Sequence, residues 1–318
     1  MRDQSLLTSA ATGAICPLCT ATGAREVERL TGDQLRALWR ALGWEFSAAA
    51  WGEISPEFVV VLRRCGECEF EFFDPSLAGS ERFYRELERT EYFVENRPEF
   101  RRTLSFARRR KLTKVLDVGC GSGIFLDMAR AAGCETWGLE LNGAAAEKAR
   151  AKGHRIFNST LPETSHEWFG DGLDLVTFFQ VLEHVAEPAR LLRQAATLLK
   201  AGGCLAVAVP AAEGVLRLVP WDPHQWPPHH ITRWRLKDFG EVARSADVSL
   251  IESGGDPLLG SEMSYFWELH ERLAPVIGRR GRGGGGVVRL ISFIYRKTGM
   301  KWLAPRRGSS VYAFFCKT

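Results

Sequence analysis

"KVLDVGCGSGIFL", Lys114 to Leu126, joins an apolar strand pattern to a helical one through glycines at Gly119, Gly121 and Gly123. Such a turn lets a ligand approach the backbone closely, and the helix N-terminus behind it favours negative charge. Several nucleotide-like ligands use turns of this kind, so the flanking residues must choose among them. No Gly-Lys-Ser/Thr follows, which sets aside a P-loop. A dinucleotide fingerprint needs a small residue where the helix packs on the strand, and that position holds Ile124. Glu140, ending the next strand pattern, suits a ribose diol in any remaining case. Asp117 stands two residues before Gly119. A carboxylate there would repel a pyrophosphate but suits a cationic aminopropyl sulfonium.

Working outward, strand and helix patterns alternate. "CETWGLEL" leads to "AAAEKARAKG", and the short "HRIFN" precedes "LDLVTFFQ". "PARLLRQAATLLKAGG" leads to "CLAVAVP", and "RLKDFGEVARSAD" leads to "VSLIESG", with "SSVYAFFCK" last. Alternation of this kind predicts right-handed crossovers and a parallel sheet covered on both faces. The intervals 211–234 and 257–308 break the rhythm and read as inserts.

Together "LDVGCGSG", "GLE" and "DLVTFFQVLEHV" (Asp174 to Val185) resemble the class I S-adenosylmethionine-dependent methyltransferases. Within them the chain resembles particularly the branch that includes the ubiquinone-biosynthesis O-methyltransferases. The resemblance implies an α/β fold, a doubly wound, seven-stranded, mostly parallel Rossmann-like sheet over 112–318. It also implies site roles. Asp117, Gly119, Gly121 and Gly123 would hold the methionine end of S-adenosylmethionine. Glu140, with Leu141 beside it, would take the ribose. Asn158 to Leu161 would lie along the adenine, although Asn158 stands where the family often has Asp. Gln180 to Glu183 would line the floor below the sulfonium.

The eight cysteines are uneven: Cys16/Cys19 and Cys65/Cys68 form two C-x-x-C pairs, and Cys120, Cys134, Cys204 and Cys316 sit singly in apolar runs. In a reducing compartment paired thiols suggest a metal, and lone ones read as small core residues. The pairs look like the knuckles of a zinc ribbon with a structural Zn²⁺, since four thiolates leave no open coordination position. A redox dithiol and a metal-free knuckle are the alternatives. "GDQLRALWRALGWEF" between the pairs predicts a helix, and the rest of the first 75 residues shows little regular pattern. With "CGECEFEFFDP", the arrangement resembles bacterial methyltransferases that carry an N-terminal ribbon over 1–78 and a helical linker over 79–111. Members of this type often accompany glycan or secondary-metabolite biosynthesis. Tyr92 and Arg97 of the linker are nominated by that resemblance to cover the cofactor, with plain amphipathic packing as the alternative.

A sulfonium methyl is already activated, so transfer needs positioning and a nucleophile freed of its proton. His184 closes "VLEH", and His224, His229 and His230 lie in "WDPHQWPPHHITRW" past the fifth strand pattern. The expected base is His229 or His230, with His184 shaping the cofactor floor. Adjacent residues in extended chain point oppositely, so one histidine of the pair should face the sulfonium. Hydrogen bonding within the loop is the plainer role for each of them.

The implied reaction is methyl transfer to a small-molecule or sugar/glycan-intermediate acceptor, with a hydroxyl expected. Two alternatives stand beside it: an rRNA guanine methyltransferase with a zinc knuckle, and a non-catalytic scaffold that keeps the fold. No DNA partner is expected, because "FFQVLE" occupies the place of the Asn/Asp-Pro-Pro-aromatic turn. With 318 residues, 45% hydrophobic and 25% charged, the chain has a globular composition, and its net charge of +4 demands no polyanion. The first residues show no basic-then-apolar signal pattern, and no run is apolar enough to cross a bilayer, so a cytoplasmic protein is expected. The interval 279–307 carries nine Lys/Arg and no acid. It reads as a solvated insert, with peripheral contact to an anionic membrane as the less favoured alternative.

Overall fold

The computed structural model describes residues 13–87, 97–161, 166–258, 260–278 and 308–318. Tyr92 and the basic interval 279–307, both singled out above, lie outside the described residues. The N-terminal part holds strand β1 (Arg25–Thr31), helix α1 (Gly32–Ala41) and strands β2 (Val59–Arg64) and β3 (Glu71–Phe72). Thr31 and Gln34 close a reciprocal capping box at the start of α1, which buries Leu35, Leu38 and Trp39. The helix is the one the sequence predicts. The strands are not: β1 is a charged edge strand and β2 a short apolar run between β1 and β3, and their pairing joins segments about thirty residues apart.

Helices α2 (Glu81–Leu87) and α3 (Pro98–Arg110) lead to the large sheet. Strand β4 (Lys114–Val118), helix α4 (Ile124–Ala131), β5 (Glu135–Leu139), α5 (Gly143–Ala151) and β6 (Arg155–Phe157) build one half. Then β7 (Leu173–Phe179), α6 (Pro188–Leu198) and β8 (Leu199–Pro210) build outward from the other side of β4. The remaining elements are β9 (Thr232–Arg233), α7 (Phe239–Ala246), β10 (Ser249–Gly255), α8 (Gly260–Ile277) and β11 (Ser310–Cys316). Helix α8 lies in an interval that read as an insert without a rhythm.

The seven-stranded order is β10-β11-β8-β7-β4-β5-β6, and β11 runs antiparallel between β8 and β10. This is the doubly wound, mostly parallel sheet expected. Strand β7 is buried at all positions, as a central strand with both faces covered requires. Its period of two sends Val176 and Phe178 toward α6 and α7, and Leu175 and Phe179 toward α3 and α4. The chain reverses its direction of growth between β4 and β7, so the crevice at their carboxyl ends is the place for a ligand.

Two long-range pairings correct the linear reading. Strand β9, from the 211–234 interval, pairs with β3, so that loop completes a four-stranded sheet begun at the N-terminus. Cys204 and Cys316, read as lone core residues, face each other across β8 and β11 and are disulfide-bonded. Their separation of 112 residues hides the pair from any local reading. Among the described residues no helix is long and apolar enough to cross a membrane.

Candidate active site

The glycine turn is locked by its surroundings. Gly119 and Gly123 adopt φ of +73° and +79°, a region that penalises side chains. A Cβ on Gly119 would sit 2.7 Å from Val181 Cγ2, and one on Gly123 would sit 2.9 Å from His154 Cδ2. The N–H groups of Gly119 and Cys120 both donate to the Leu139 carbonyl, at 2.8 and 3.1 Å. The turn is therefore stitched to the end of β5, where Glu140 begins.

Glu140 accepts the Gly121 N–H on Oε2 at 2.8 Å and the Asn142 N–H on Oε1 at 2.7 Å. Each oxygen keeps a further lone pair, so the carboxylate is oriented and still able to accept from a diol. Asn158 Nδ2 donates to the carbonyls of Glu140 and Leu141 at 2.7 and 3.1 Å, which braces this corner. Leu141 is left 65% exposed beside it, an apolar surface next to the carboxylate.

Asp117 is buried and accepts the Thr177 hydroxyl at 2.6 Å. Burial pushes its carboxyl up to about 7, helped by the nearby Glu140 and opposed by Thr177 and Arg97. Across the crevice, Gln180 directly follows β7 with φ of +57°, a strained conformation for a non-glycine residue and one that clusters at functional sites. Its amide nitrogen lies 3.5 Å from Glu99 Oε1 and 3.4 Å from Ser310 Oγ. Glu183 follows, 1% exposed, and burial pushes it up to about 8, with Arg97 opposing. Glu99 of α3 is raised for the same reason. Arg97 Nη1 stands 3.6 Å from Glu99 Oε1 and is the cation of this acidic floor.

The histidines converge. His184 Nδ1–H donates to the His229 carbonyl at 2.7 Å, and the Tyr84 hydroxyl reaches the same carbonyl at 3.1 Å and His184 Nδ1 at 3.0 Å. The His229 and His230 rings are stacked, 4.5 Å between centroids and 20° apart, and the His184 ring lies 4.8 Å from each. The expectation that the pair points to opposite sides fails. Both N–H groups bond to the Trp226 carbonyl, so the segment is a turn rather than extended chain, and both rings emerge together. Burial lowers the basicity of all three: His184 is pushed down to about 4, and His229 and His230 well below the usual histidine range. The loop is tied to the floor through Ile231 N–H to the Glu183 carbonyl, 2.8 Å, and Thr232 Oγ1 to the Leu182 carbonyl, 3.1 Å. His224 packs edge-on against the His229 ring, 5.7 Å between centroids, with its Nδ1 2.8 Å from Asp222 and its ring edge-on to Trp39.

The four N-terminal thiols also converge. Cys16 and Cys68 Sγ atoms are 3.6 Å apart, as are those of Cys19 and Cys65, and all four lie within 4.8 Å of one another. Tetrahedral zinc–thiolate bonds of about 2.3 Å require sulfurs about 3.8 Å apart, so the donor set fits zinc.

A family model described as a methyltransferase domain matches residues 84–253, more than half the chain. The chain belongs to that family. Two curated relatives are ubiquinone biosynthesis O-methyltransferases. The one from Hahella chejuensis is 30% identical over 170 residues, covering 46% of this chain and 68% of the relative. The one from Albidiferax ferrireducens is 34% identical over 160 residues, covering 45% of this chain and 62% of the relative. The crystal structure of coclaurine N-methyltransferase bound to N-methylheliamine and SAH aligns over 72% of this chain and 75% of that one, at 14% identity and a TM-score of 0.45. The family model and the curated relatives make the protein an S-adenosylmethionine-dependent methyltransferase, as the glycine turn and its flanks imply. The matched domain begins at Tyr84, so the cysteine module precedes it.

Sequence reasoning missed Tyr84 and Glu99. Tyr84 read only as one aromatic of an amphipathic helix. A phenol on a buried stripe needs a polar partner, and that is the signal that could have marked it.

Proposed function

We propose that the protein transfers the methyl group of S-adenosylmethionine to a hydroxyl of a small molecule or a sugar or glycan intermediate. The observation carrying this reading is the histidine cluster, held by Glu183 and Leu182 directly beside the floor segment that follows β7. The glycine turn and Asp117 receive the methionine end, Glu140 the ribose, and Leu141 with Asn158 the adenine edge. Gln180 shapes the floor. The names of the two curated relatives support an oxygen acceptor; they do not identify it.

His229 and His230 face the acceptor side, and an uncharged imidazole of the pair takes the hydroxyl proton as the oxygen attacks the sulfonium methyl in line. His184, fixed through Nδ1, orients that turn. Glu183 Oε1 lies 3.9 Å from His184 Nε2, at the edge of the cluster. The Cys16/Cys19/Cys65/Cys68 zinc is structural: it pins the hairpin leading to β3, which pairs with β9 beside the histidine loop.

The test is a mass-shift screen of nucleotide sugars and polyketide-like hydroxyl acceptors, followed by His229→Ala and His230→Ala separately. Loss of a general base lowers turnover by about 10²–10⁴-fold and leaves cofactor affinity intact. Normal turnover in both variants would remove the base assignment. Cofactor binding without transfer to any acceptor would favour a scaffold.

A further inference from the structure

We propose that His184, His229 and His230 form a transition-metal site, with zinc the ion their chemistry fits best, distinct from the four-cysteine site. One ligand nitrogen from each ring lies within 4.8 Å of the others. Zinc–imidazole bonds of about 2.0–2.1 Å need nitrogens about 3.4 Å apart, so small side-chain rotations of about an ångström would close the set. The stacked His229 and His230 rings leave the turn on the same side, so modest ring rotations can turn one nitrogen of each toward a shared ion. His184 carries the outer contact typical of a ligand: its Nδ1–H is engaged by a backbone carbonyl, which leaves Nε2 for the metal. Tyr84 supports the same carbonyl.

Two further observations point to a ligand. His230 Nδ1 is buried without a hydrogen-bond partner, and so is Glu183 Oε2, while Glu183 Oε1 is 3.9 Å from His184 Nε2. Buried polar atoms are rarely left unsatisfied. Three imidazoles leave a fourth, open position, as catalytic zinc requires and four thiolates do not. The inference rests on the proposed function's placing of the acceptor at this cluster, and it replaces the imidazole base with activation of the hydroxyl by the metal, because a zinc-bound imidazole nitrogen has no lone pair left for a proton. A zinc-bound acceptor hydroxyl loses its proton to water more readily. The oxygen then forms its bond to the methyl carbon as the carbon–sulfur bond breaks and S-adenosylhomocysteine leaves.

The experiment uses the full chain, stripped with a chelator, reloaded with zinc alone and dialysed. X-ray absorption at the zinc edge reads ligand type, and elemental analysis reads stoichiometry. The expected result is nitrogen-coordinated zinc at about one per chain, with imidazole outer-shell scattering near the distances above. His230→Gln and His184→Asn should each abolish that component while sulfur-bound zinc persists, which shows the variant chain is folded. Zinc with sulfur ligands only in the parent protein overturns the site, and needs no variant to do so. Nitrogen-bound zinc retained in both variants overturns it equally. Sulfur-only zinc with a histidine-dependent rate rejects the metal and keeps the imidazole base. Nitrogen-bound zinc with no transfer to any hydroxyl keeps the metal and sinks the functional reading.

Discussion

Glu140→Ala probes the cofactor site at its best-defined point. In the free protein the carboxylate holds the Gly121 and Asn142 N–H groups, and the residue is only partly buried. Water can replace the carboxylate at those two donors, so the glycine turn should survive the substitution. On the proposed reading, what water cannot replace is the oriented pair of acceptors that Glu140 would present to a ribose. Hydrogen bonds to a charged group contribute about 1.5–3 kcal/mol, so the loss in affinity should be about that size, roughly 10- to 150-fold in Kd. S-adenosylmethionine and S-adenosylhomocysteine share the ribose, so both should weaken equally. Glu140→Gln should do no better, because its amide NH₂ must meet one of the two backbone donors. Isothermal titration calorimetry of both ligands measures the effect, with thermal melting of the free variants as the folding control. Unchanged affinity in a folded Glu140→Ala protein would refute the assignment and leave Glu140 as a brace for the turn.

The zinc assignment predicts about one sulfur-bound zinc per chain after purification without added metal, and a lower melting temperature on chelation. Absence of sulfur-bound zinc, with stability indifferent to chelator, would return the four cysteines to packed thiols. Asp117 predicts a pH dependence. Its folded value, about 7, lies above that of an unfolded aspartate, so its contribution to free-protein stability is present at low pH and lost as pH rises through about 7. A cationic cofactor prefers the ionised form. Affinity should therefore rise by up to about tenfold per pH unit below that value and level off above it. Asp117→Asn should flatten the profile, and Thr177→Val should move it to higher pH by removing a bond to the carboxylate. A flat profile in the parent protein would count against Asp117 as a cofactor contact.

Much of the β4–β6 half of the sheet, with its glycine turn, was legible because its determinants are local. The β4–glycine–α4 turn needs positive φ at neighbouring positions, and only glycine supplies that without strain. Glu140 is legible for a similar reason, since it ends the very next strand. Local patterning also marked α1 and the alternation that makes the large sheet parallel. The two cysteine pairs announced themselves by spacing, although the strands between them did not, because β1 and β2 are stabilised by each other rather than by a repeating pattern.

The acceptor side was decided in three dimensions. His184 and the His229–His230 pair are brought together by bonds between the segment after β7 and a loop that begins after β8. The reversal of the His229–His230 expectation arose there too, since a turn closed on the Trp226 carbonyl sends both rings the same way. Tyr84 joins them from a helix a hundred residues earlier in the chain. The same holds for Cys204 with Cys316 and for β9 with β3. Sequence alone determined the glycine turn, where residues close in the chain touch each other. Tertiary structure determined the histidine cluster, because its contacts join residues whose proximity exists only once distant segments have packed.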